Sequence, residues 1–211
     1  MTKEEFITAL KDLNIEVTEE KLAKLNKFYK LLVEWNSKIN LTRIIEEQEV
    51  YLKHFYDSLT ITKVIDLNKV ETLCDVGTGA GFPGIVLKIF YPNLKVTLID
   101  SLEKRIKYLN DVIEKLNLEN IKAIHSRGEA YQGSFDIVTS RAVANIEKLV
   151  TYTMHLVKKN GKFIAMKGNI DKELTPEIEK KLSKKYQIVT IKKFLLPKEN
   201  SNRSLVVIKN K

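Results

Sequence analysis

The sequence is poor in the residues that build cross-linked or metal-bound scaffolds. It has one cysteine, Cys74, and three histidines among 211 residues. A single thiol excludes an internal disulfide, and no Cys/His cluster has the spacing of metal ligands. No apolar run reaches the roughly eighteen residues that a membrane-spanning helix needs. The opening stretch, MTKEEFITALKDL, is charged and amphipathic and lacks the apolar centre of a secretory signal. These absences lead to the expectation of a metal-free cytoplasmic protein. Glycine is also scarce, with eight in the chain, yet four of them fall within CDVGTGAGFPG at 74–84.

Acidic residues become scarce only late in the chain. Residues 1–65 carry 10 Lys and Arg against 11 Asp and Glu, and residues 66–157 carry 11 against 11. Residues 158–211 carry 15 against 5, so the net charge of +9 originates in the last quarter. A basic segment of this kind favours an acidic partner, nucleic acid above all; a solvated lysine-rich face is the plainer alternative.

The first third has helical periodicity. Thr2 and Glu5 form a capping-box pattern ahead of Phe6, Ile7 and Leu10. Thr18 is placed to cap a second helix carrying Leu22, Leu25, Phe28, Leu32 and Trp35. WNSKINLT, at 35–42, is polar and predicts a loop or turn, and a third helix is expected over about 46–64. From about residue 70 short β runs alternate with helices: TLCDV, VTLID, IKAIH, FDIVTS and KFIAMK are five candidate strands. The helix after FDIVTS is expected to run from Asn145 to Asn160-Gly161. Alternation of this kind implies a mainly parallel sheet with helices on both faces. YQIVTIKKFLL and RSLVVIKN are joined only by PKENSN, too short for a parallel crossover, so they predict an antiparallel hairpin. The expected architecture is α/β and Rossmann-like: a helical extension at 1–65, then a domain at 66–211 whose seven-stranded sheet ends in that hairpin.

The glycine-rich stretch starts directly after a strand, and Pro83-Gly84 opens a helix. Glycines there permit positive φ and let a ligand approach the backbone. GAGFPG at 79–84 matches the dinucleotide pattern G-x-G-x-x-G, with Asp100 sixteen residues further on. That match alone supports an NAD-dependent oxidoreductase. The D-x-G-x-G-x-G start at Asp75, the carboxylate of Asp100 closing the second strand and the terminal hairpin favour a different cofactor. Together they resemble the class I S-adenosylmethionine-dependent methyltransferases, whose ligand has no pyrophosphate.

The resemblance extends along the chain. WNSKINLT, HFYDSL at 54–59, DVGTGAGFPGIVL, DSLEKRIKYL, HSRGEAY, the TSRAVA run at 139–144 and AMKG at 165–168 occur in that order. This series resembles the RsmG (GidB) family of bacterial methyltransferases, which modify N7 of a guanine in 16S ribosomal RNA of the small subunit. The motifs cover about residues 30–170, and the last forty residues match in outline only. The resemblance implies cofactor contacts at Gly77 and Phe82, at Asp100 and Ser101, at Gly128 and Glu129 and at Arg141, with Asp75 and Gly79 in the same loop. It places Arg127, Arg141 and Lys167 near the substrate as positioning groups. The interval from Glu129 to Arg141 is shorter than the family's.

The residues are consistent with that chemistry. The Asn/Asp-Pro-Pro-aromatic motif of amino-group methyltransferases is missing after the fourth strand, where SRAVA stands. Cytosine-C5 chemistry needs a nucleophilic cysteine, and Cys74 sits inside a strand. Guanine N7 is a lone-pair acceptor with no proton to remove, so positioning could supply most of the acceleration. The expected partners are S-adenosylmethionine and 16S rRNA or the small subunit, with a monomeric protein and no metal. A methyltransferase for a small molecule or protein, and an RNA-binding module without catalysis, are the other readings. His54 could touch the pocket or hydrogen-bond Asp57. Asn36 and Asn40 are candidate RNA contacts, and KKYQIVTIKKF is either a phosphate-binding surface or a solvated strand edge.

Overall fold

The computed structural model describes residues 1–141 and 144–211; Ala142 and Val143, inside the TSRAVA run, lie outside the described residues. The seven expected strands all form. They are β1 (Thr72–Val76), β2 (Lys95–Asp100), β3 (Ile121–His125), β4 (Phe135–Arg141), β5 (Val157–Lys167), β6 (Tyr186–Leu195) and β7 (Asn202–Asn210). Their order is β3-β2-β1-β4-β5-β7-β6, with β1 to β5 parallel and β7 antiparallel to both neighbours. Because β7 runs backwards, its first residues lie beside the last residues of β5, and Ser204 pairs with Lys167. The PKENSN turn is thereby delivered to the end of the sheet where the glycine loop leaves β1.

Central strands are buried on both faces, and alternate residues feed two cores. Leu73, Ile137, Ile164, Leu205 and Val207 face one side. Cys74, Val138, Phe163, Val206 and Ile208 face the other. The first core is covered by α1 (Lys3–Lys11), α2 (Glu19–Ile39), α5 (Gly84–Phe90) and α6 (Glu103–Lys115); the second by α7 (Ile146–Thr153) and α8 (Pro176–Leu182). Phe6, Phe28, Phe55 and Phe82 join the first core, so the N-terminal helices and the sheet share one hydrophobic cluster. Each fully buried phenylalanine contributes about 2–3 kcal/mol by area.

The capping box forms as expected: Glu5 N donates to Thr2 Oγ1 at 3.2 Å and Thr2 N to Glu5 Oε2 at 2.7 Å. Thr18 caps α2. Two expectations are corrected and one is refined. WNSKINLT does not begin a loop, since α2 continues to Ile39 and ends at Asn40 with φ 51°. The reason is tertiary: Trp35 packs on Tyr108 of α6 at 5.9 Å and donates to Asp111 Oδ2 at 2.7 Å. The third helix is helical throughout but irregular. It comprises α3 (Glu47–Val50), a π-helical turn (Tyr51–Tyr56), α4 (Asp57–Leu59) and a 3-10 turn (Thr60–Lys63). The helix after β4 stops well before Asn160. Val157 already pairs with Phe135, and a Cβ at Gly161 would lie 2.8 Å from the Phe135 carbonyl, so that glycine marks a close strand approach.

Candidate active site

The strand order reverses between β1 and β4, and the loops leaving their C-terminal ends open a crevice there, the usual place for a ligand in such sheets. After β1 the chain passes through Gly77, Gly79 and Gly81, with φ of 70°, 60° and 90°. A side chain at Gly79 would meet nothing closer than the Gly77 carbonyl at 4.0 Å, so that glycine serves conformation and leaves open space. Gly84 serves packing: a Cβ there would lie 2.2 Å from Leu98 Cδ2 and 2.9 Å from Asp75 Oδ2.

Two carboxylates hold the loop. Asp75 Oδ2 accepts from Thr78 Oγ1 at 2.7 Å and from Gly84 N at 2.9 Å. Its Oδ1 is buried with no partner among the described residues, and burial pushes the carboxyl up to about 6. Asp100 accepts from Gly79 N at 2.9 Å, from Leu102 N at 3.0 Å and from Arg105 Nη1 at 3.1 Å. The loop amides are largely used internally. Gly77 N and Thr78 N donate to the Ile99 carbonyl, and Gly81 N and Phe82 N to that of Thr78.

A second constellation is built around Arg141, at the end of β4. Its Nη1 donates to Asp57 Oδ2 and to the Lys53 carbonyl, each at 3.0 Å. The guanidinium lies 5.2 Å from the centre of the Phe82 ring, within cation–π range. His54 stacks on Phe82 at 4.4 Å and 19°. Arg141 Nη2 is 3.3 Å from His54 Nδ1, while Nε2 is 3.2 Å from Thr42 Oγ1. Arginine is only a donor, so its contact uses the tautomer protonated on Nε2, whereas Nδ1 also lies 3.2 Å from the Lys53 carbonyl, a contact that uses the other tautomer. Burial first and then Arg141 push the imidazole down to about 3, which keeps it neutral. Asp57, 5 % exposed, also accepts from Arg203 Nε of β7 at 2.9 Å, so one carboxylate joins α4, β4 and β7. The expectation that His54 bonds Asp57 is corrected, because both Asp57 oxygens face arginines.

These groups border two cavities that share His54 and Arg141. The first, about 390 Å³, is lined by Gly77, Thr78, Gly79, Phe82, Asp100 and Ser101 among others. It continues past Gly77, Asp100 and Ser101 into a recess of about 230 Å³ bordered by Arg127, Gly128 and Glu129. The second cavity, about 340 Å³, lies under the β6–β7 hairpin between Lys53, Asp57, Lys167, Phe194, Arg203 and Leu205. Lys167 is held by Glu173 at 2.9 Å and by the Ala144 carbonyl at 2.6 Å.

The sequence-derived residues thus divide. Gly77, Gly79, Phe82, Asp100, Ser101, Gly128 and Glu129 line the first cavity and its recess, Arg141 stands at the junction, and Asp75 lies buried behind the glycine loop without lining either. Lys167 lies in the second cavity, and Arg127 in the recess beside Glu129, so the three basic candidates do not meet in one place. Sequence reasoning missed Asp57 as an ion-pair hub, Arg203 and Phe194 as cavity walls, and Arg105 as the partner of Asp100. HFYDSL contained the first of these signals. Cys74 is buried and its thiol pKa is raised by burial, which removes it as a nucleophile. Asn36 Oδ1 accepts from Thr42 N at 2.8 Å and so shapes the rim of the first cavity.

Known proteins match both the sequence and the fold. A family model described as rRNA small subunit methyltransferase G matches residues 21–206. The ribosomal RNA small subunit methyltransferase G of Bacillus subtilis is 44% identical over 99% of this chain and 90% of its own length. That of Exiguobacterium sibiricum is 42% identical over 100% of this chain and 92% of its own. Among solved structures, a mutant of MtNAS in complex with S-adenosylmethionine superposes with TM-score 0.57 at 16% identity, covering 90% of this chain and 76% of that one. The StiE O-MT domain superposes with TM-score 0.58 at 16% identity, covering 72% of each. The two structures establish the shared fold, and the sequence matches go further: the chain belongs to the rRNA small subunit methyltransferase G family.

Proposed function

We propose that this protein transfers a methyl group from S-adenosylmethionine to N7 of a specific guanine in 16S ribosomal RNA. The observation that carries this reading is the pair of cavities joined at the His54–Arg141 wall, in a chain of this family. The first cavity suits the donor. Its glycine loop spends its amides on Ile99, Thr78 and Asp100, so few remain to cradle a pyrophosphate, which disfavours the dinucleotide alternative. The open space at Gly79 and the orphaned, buried Asp75 Oδ1 fit a ligand whose amino-acid end is cationic. When bound, S-adenosylmethionine supplies an electrophilic methyl on a sulfonium.

In this reading Asp75, Gly77, Gly79 and Phe82 form the bed of that ligand. Asp100 and Ser101 take the ribose, and Gly128 and Glu129 take the adenine in the recess. The acceptor base enters the second cavity, where Phe194 and Leu205 give apolar walls and Lys167 and Arg141 face its polar edge, while Arg127 holds substrate phosphate near the recess. The chain's own groups then act by orientation. His54 is neutral with both nitrogens engaged, and Asp57 is saturated by two guanidiniums, so neither is free to remove a proton. N7 needs no such group, and arginine can hold a base edge through two hydrogen bonds. Residues 1–65 serve as a helical extension to the methyltransferase domain of 66–211. The protein works as a monomer in the cytoplasm, without a metal.

Incubation with tritium-labelled S-adenosylmethionine and small ribosomal subunits lacking the modification tests the reading. Label recovered as 7-methylguanosine from 16S rRNA is the expected result. Donor binding without transfer to RNA would overturn the acceptor, and NADH binding in its place would overturn the donor.

A further inference from the structure

The basic excess of the C-terminal quarter does not sit where the two cavities are. On the side of the cavities, five cations of this quarter pair with carboxylates, while Lys172, Lys180 and Lys192 form no ion pair among the described residues. Lys167 pairs with Glu173, Lys181 with Glu147, Lys193 with Asp171, Lys198 with Glu5 and Arg203 with Asp57. A second group lies at the opposite end of the sheet. β5 and β6 begin there and β7 ends there, which collects Lys159, Lys162, Lys184, Lys185, Lys209 and Lys211.

Register fixes this cluster. Ile208 pairs with Phe163 on one side and Ile188 on the other, so Lys209 stands beside Lys162 and opposite Gln187. Lys211 Nζ donates to the Ser183 carbonyl, which ties the end of β7 to the Lys184–Lys185 turn. Lys159, Lys184, Lys185 and Lys211 are exposed, and Lys162 and Lys209 half-buried. None of the six forms an ion pair among the described residues; the nearby carboxylate of Asp136 is taken by Lys158 at 2.9 Å. Five residues of strand separate Lys167 from Lys162 and Ser204 from Lys209, about 17 Å at ~3.3 Å per residue.

We infer that this rear lysine cluster is a second RNA-docking surface, one that holds the phosphodiester backbone of rRNA away from the reacting base; the inference rests on the proposed function. Unpaired like charges held together on a rigid sheet end are unfavourable unless a polyanion neutralises them, and the proposed substrate is a polyanion. The residue type suits that task. All six are lysines, point charges that meet phosphate without the fork that reads base edges, so the surface adds affinity and orientation and no sequence selection. The cluster contains no large apolar side chain to enter a bilayer. The C-terminal cations that border the second cavity, Lys167 and Arg203, are by contrast held by Glu173 and Asp57.

The test uses the full-length protein with five substitutions combined: K159Q, K162Q, K184Q, K185Q and K209Q. A triple variant restricted to exposed positions, K159Q/K184Q/K185Q, covers the case in which the first fails to fold. Three quantities are measured: affinity for unmodified small subunits across a salt series, kcat at saturating subunits, and Kd for S-adenosylmethionine. Each lost phosphate contact lowers the log–log salt slope by about 0.7–0.9, so the five-fold variant flattens it by about 3.5 to 4.5 and weakens subunit binding at least about tenfold at low salt. The triple variant flattens it by about 2. Donor affinity and kcat stay as in the unmodified protein. Unchanged subunit affinity and slope in either folded variant overturns the inference while leaving the enzyme's reaction intact. Failure of the unmodified protein to label 16S rRNA overturns the proposed function itself, and this docking surface with it.

Discussion

The two cavities meeting at His54 and Arg141 are built in opposite ways. The first is lined mainly by two short continuous segments, 77–82 and 100–105, each hanging from the end of one strand. The second draws on five separated parts of the chain: Ile44, residues 53–60, Arg141, residues 166–168, and the hairpin at Phe194 and 203–205. A cavity of the first kind is fixed by backbone conformation and tolerates few residue types. A cavity of the second kind is fixed by long-range ion pairs, and its key contacts join residues 84 to 146 positions apart. Damage should therefore propagate differently in the two.

The largest effect is expected at the centre of the second cavity. Asp57→Asn leaves two guanidiniums without their shared carboxylate. Removing one partner of a buried pair costs about 3–5 kcal/mol; the lower end applies here because the side chains of Arg141 and Arg203 are 13% and 22% exposed. Urea denaturation measures the loss, and methylation should fall with it because Arg141 and the hairpin lose their common anchor. A cost under about 1 kcal/mol would show that the hub is not what holds this cavity. In the first cavity Gly84→Ala is the matching experiment. The new methyl lands 2.2 Å from Leu98 Cδ2, and overpacking of this kind costs about 1–3 kcal/mol. Donor affinity should fall more than subunit affinity, the reverse of a substitution in the second cavity.

The same contrast explains what the sequence made legible. Glycines at 77, 79, 81 and 84 carry their meaning locally: a strand, a tight turn and a helix start within eleven residues of one another. All seven strands were visible because apolar runs bounded by turn residues need no tertiary information, and PKENSN was too short for anything but a hairpin. Asp57 and Arg203 could not be paired from sequence, since nothing in either segment names the other. The end of α2 was misjudged for a related reason. Asn36, Ser37 and Asn40 suggest a loop, but Trp35 gains a partner on α6 that local propensity does not count. The basic tail was legible as a charge excess, and its division into pinned and free lysines became visible only through strand register.

A smaller and more discriminating effect concerns pH, because the wall shared by the cavities holds His54 and the glycine loop holds Asp75, two buried groups shifted in opposite directions. His54 is pushed from 6.5 down to about 3, so the unfolded chain binds the extra proton and stability is lost as pH falls below about 6.5. Asp75 is pushed from 3.8 up to about 6, so the folded chain binds the extra proton, and its favourable contribution, present at low pH, is lost as pH rises through about 6. Between pH 7 and 5 the two slopes oppose each other, each on the order of 1–2 kcal/mol, and the intact protein should show a shallow profile. His54→Asn should gain relative stability on acidification and Asp75→Asn should lose it. Parallel profiles in the two variants would mean that burial does not control these groups.

The smallest expected effect tests how the hairpin tip contributes to the second cavity. Beyond Asp57–Arg203, the turn between β6 and β7 touches the N-terminal helices through Lys198–Glu5 and through Glu199–Lys53 at 2.6 Å. Both pairs are partly exposed; Lys198 and Glu5 retain 51% and 39% of their side-chain surface in water. Exposed ion pairs contribute about 0–1 kcal/mol and weaken with salt. Lys198→Ala should therefore leave stability within about 0.5 kcal/mol and leave donor affinity unchanged, since the first cavity contains no residue of the hairpin. Any effect should appear as weaker subunit binding at low salt that vanishes at high salt. If Lys198→Ala instead destabilised the protein as much as Asp57→Asn, the cavity would be held at its rim, and the buried carboxylate would be a consequence of closure rather than its cause.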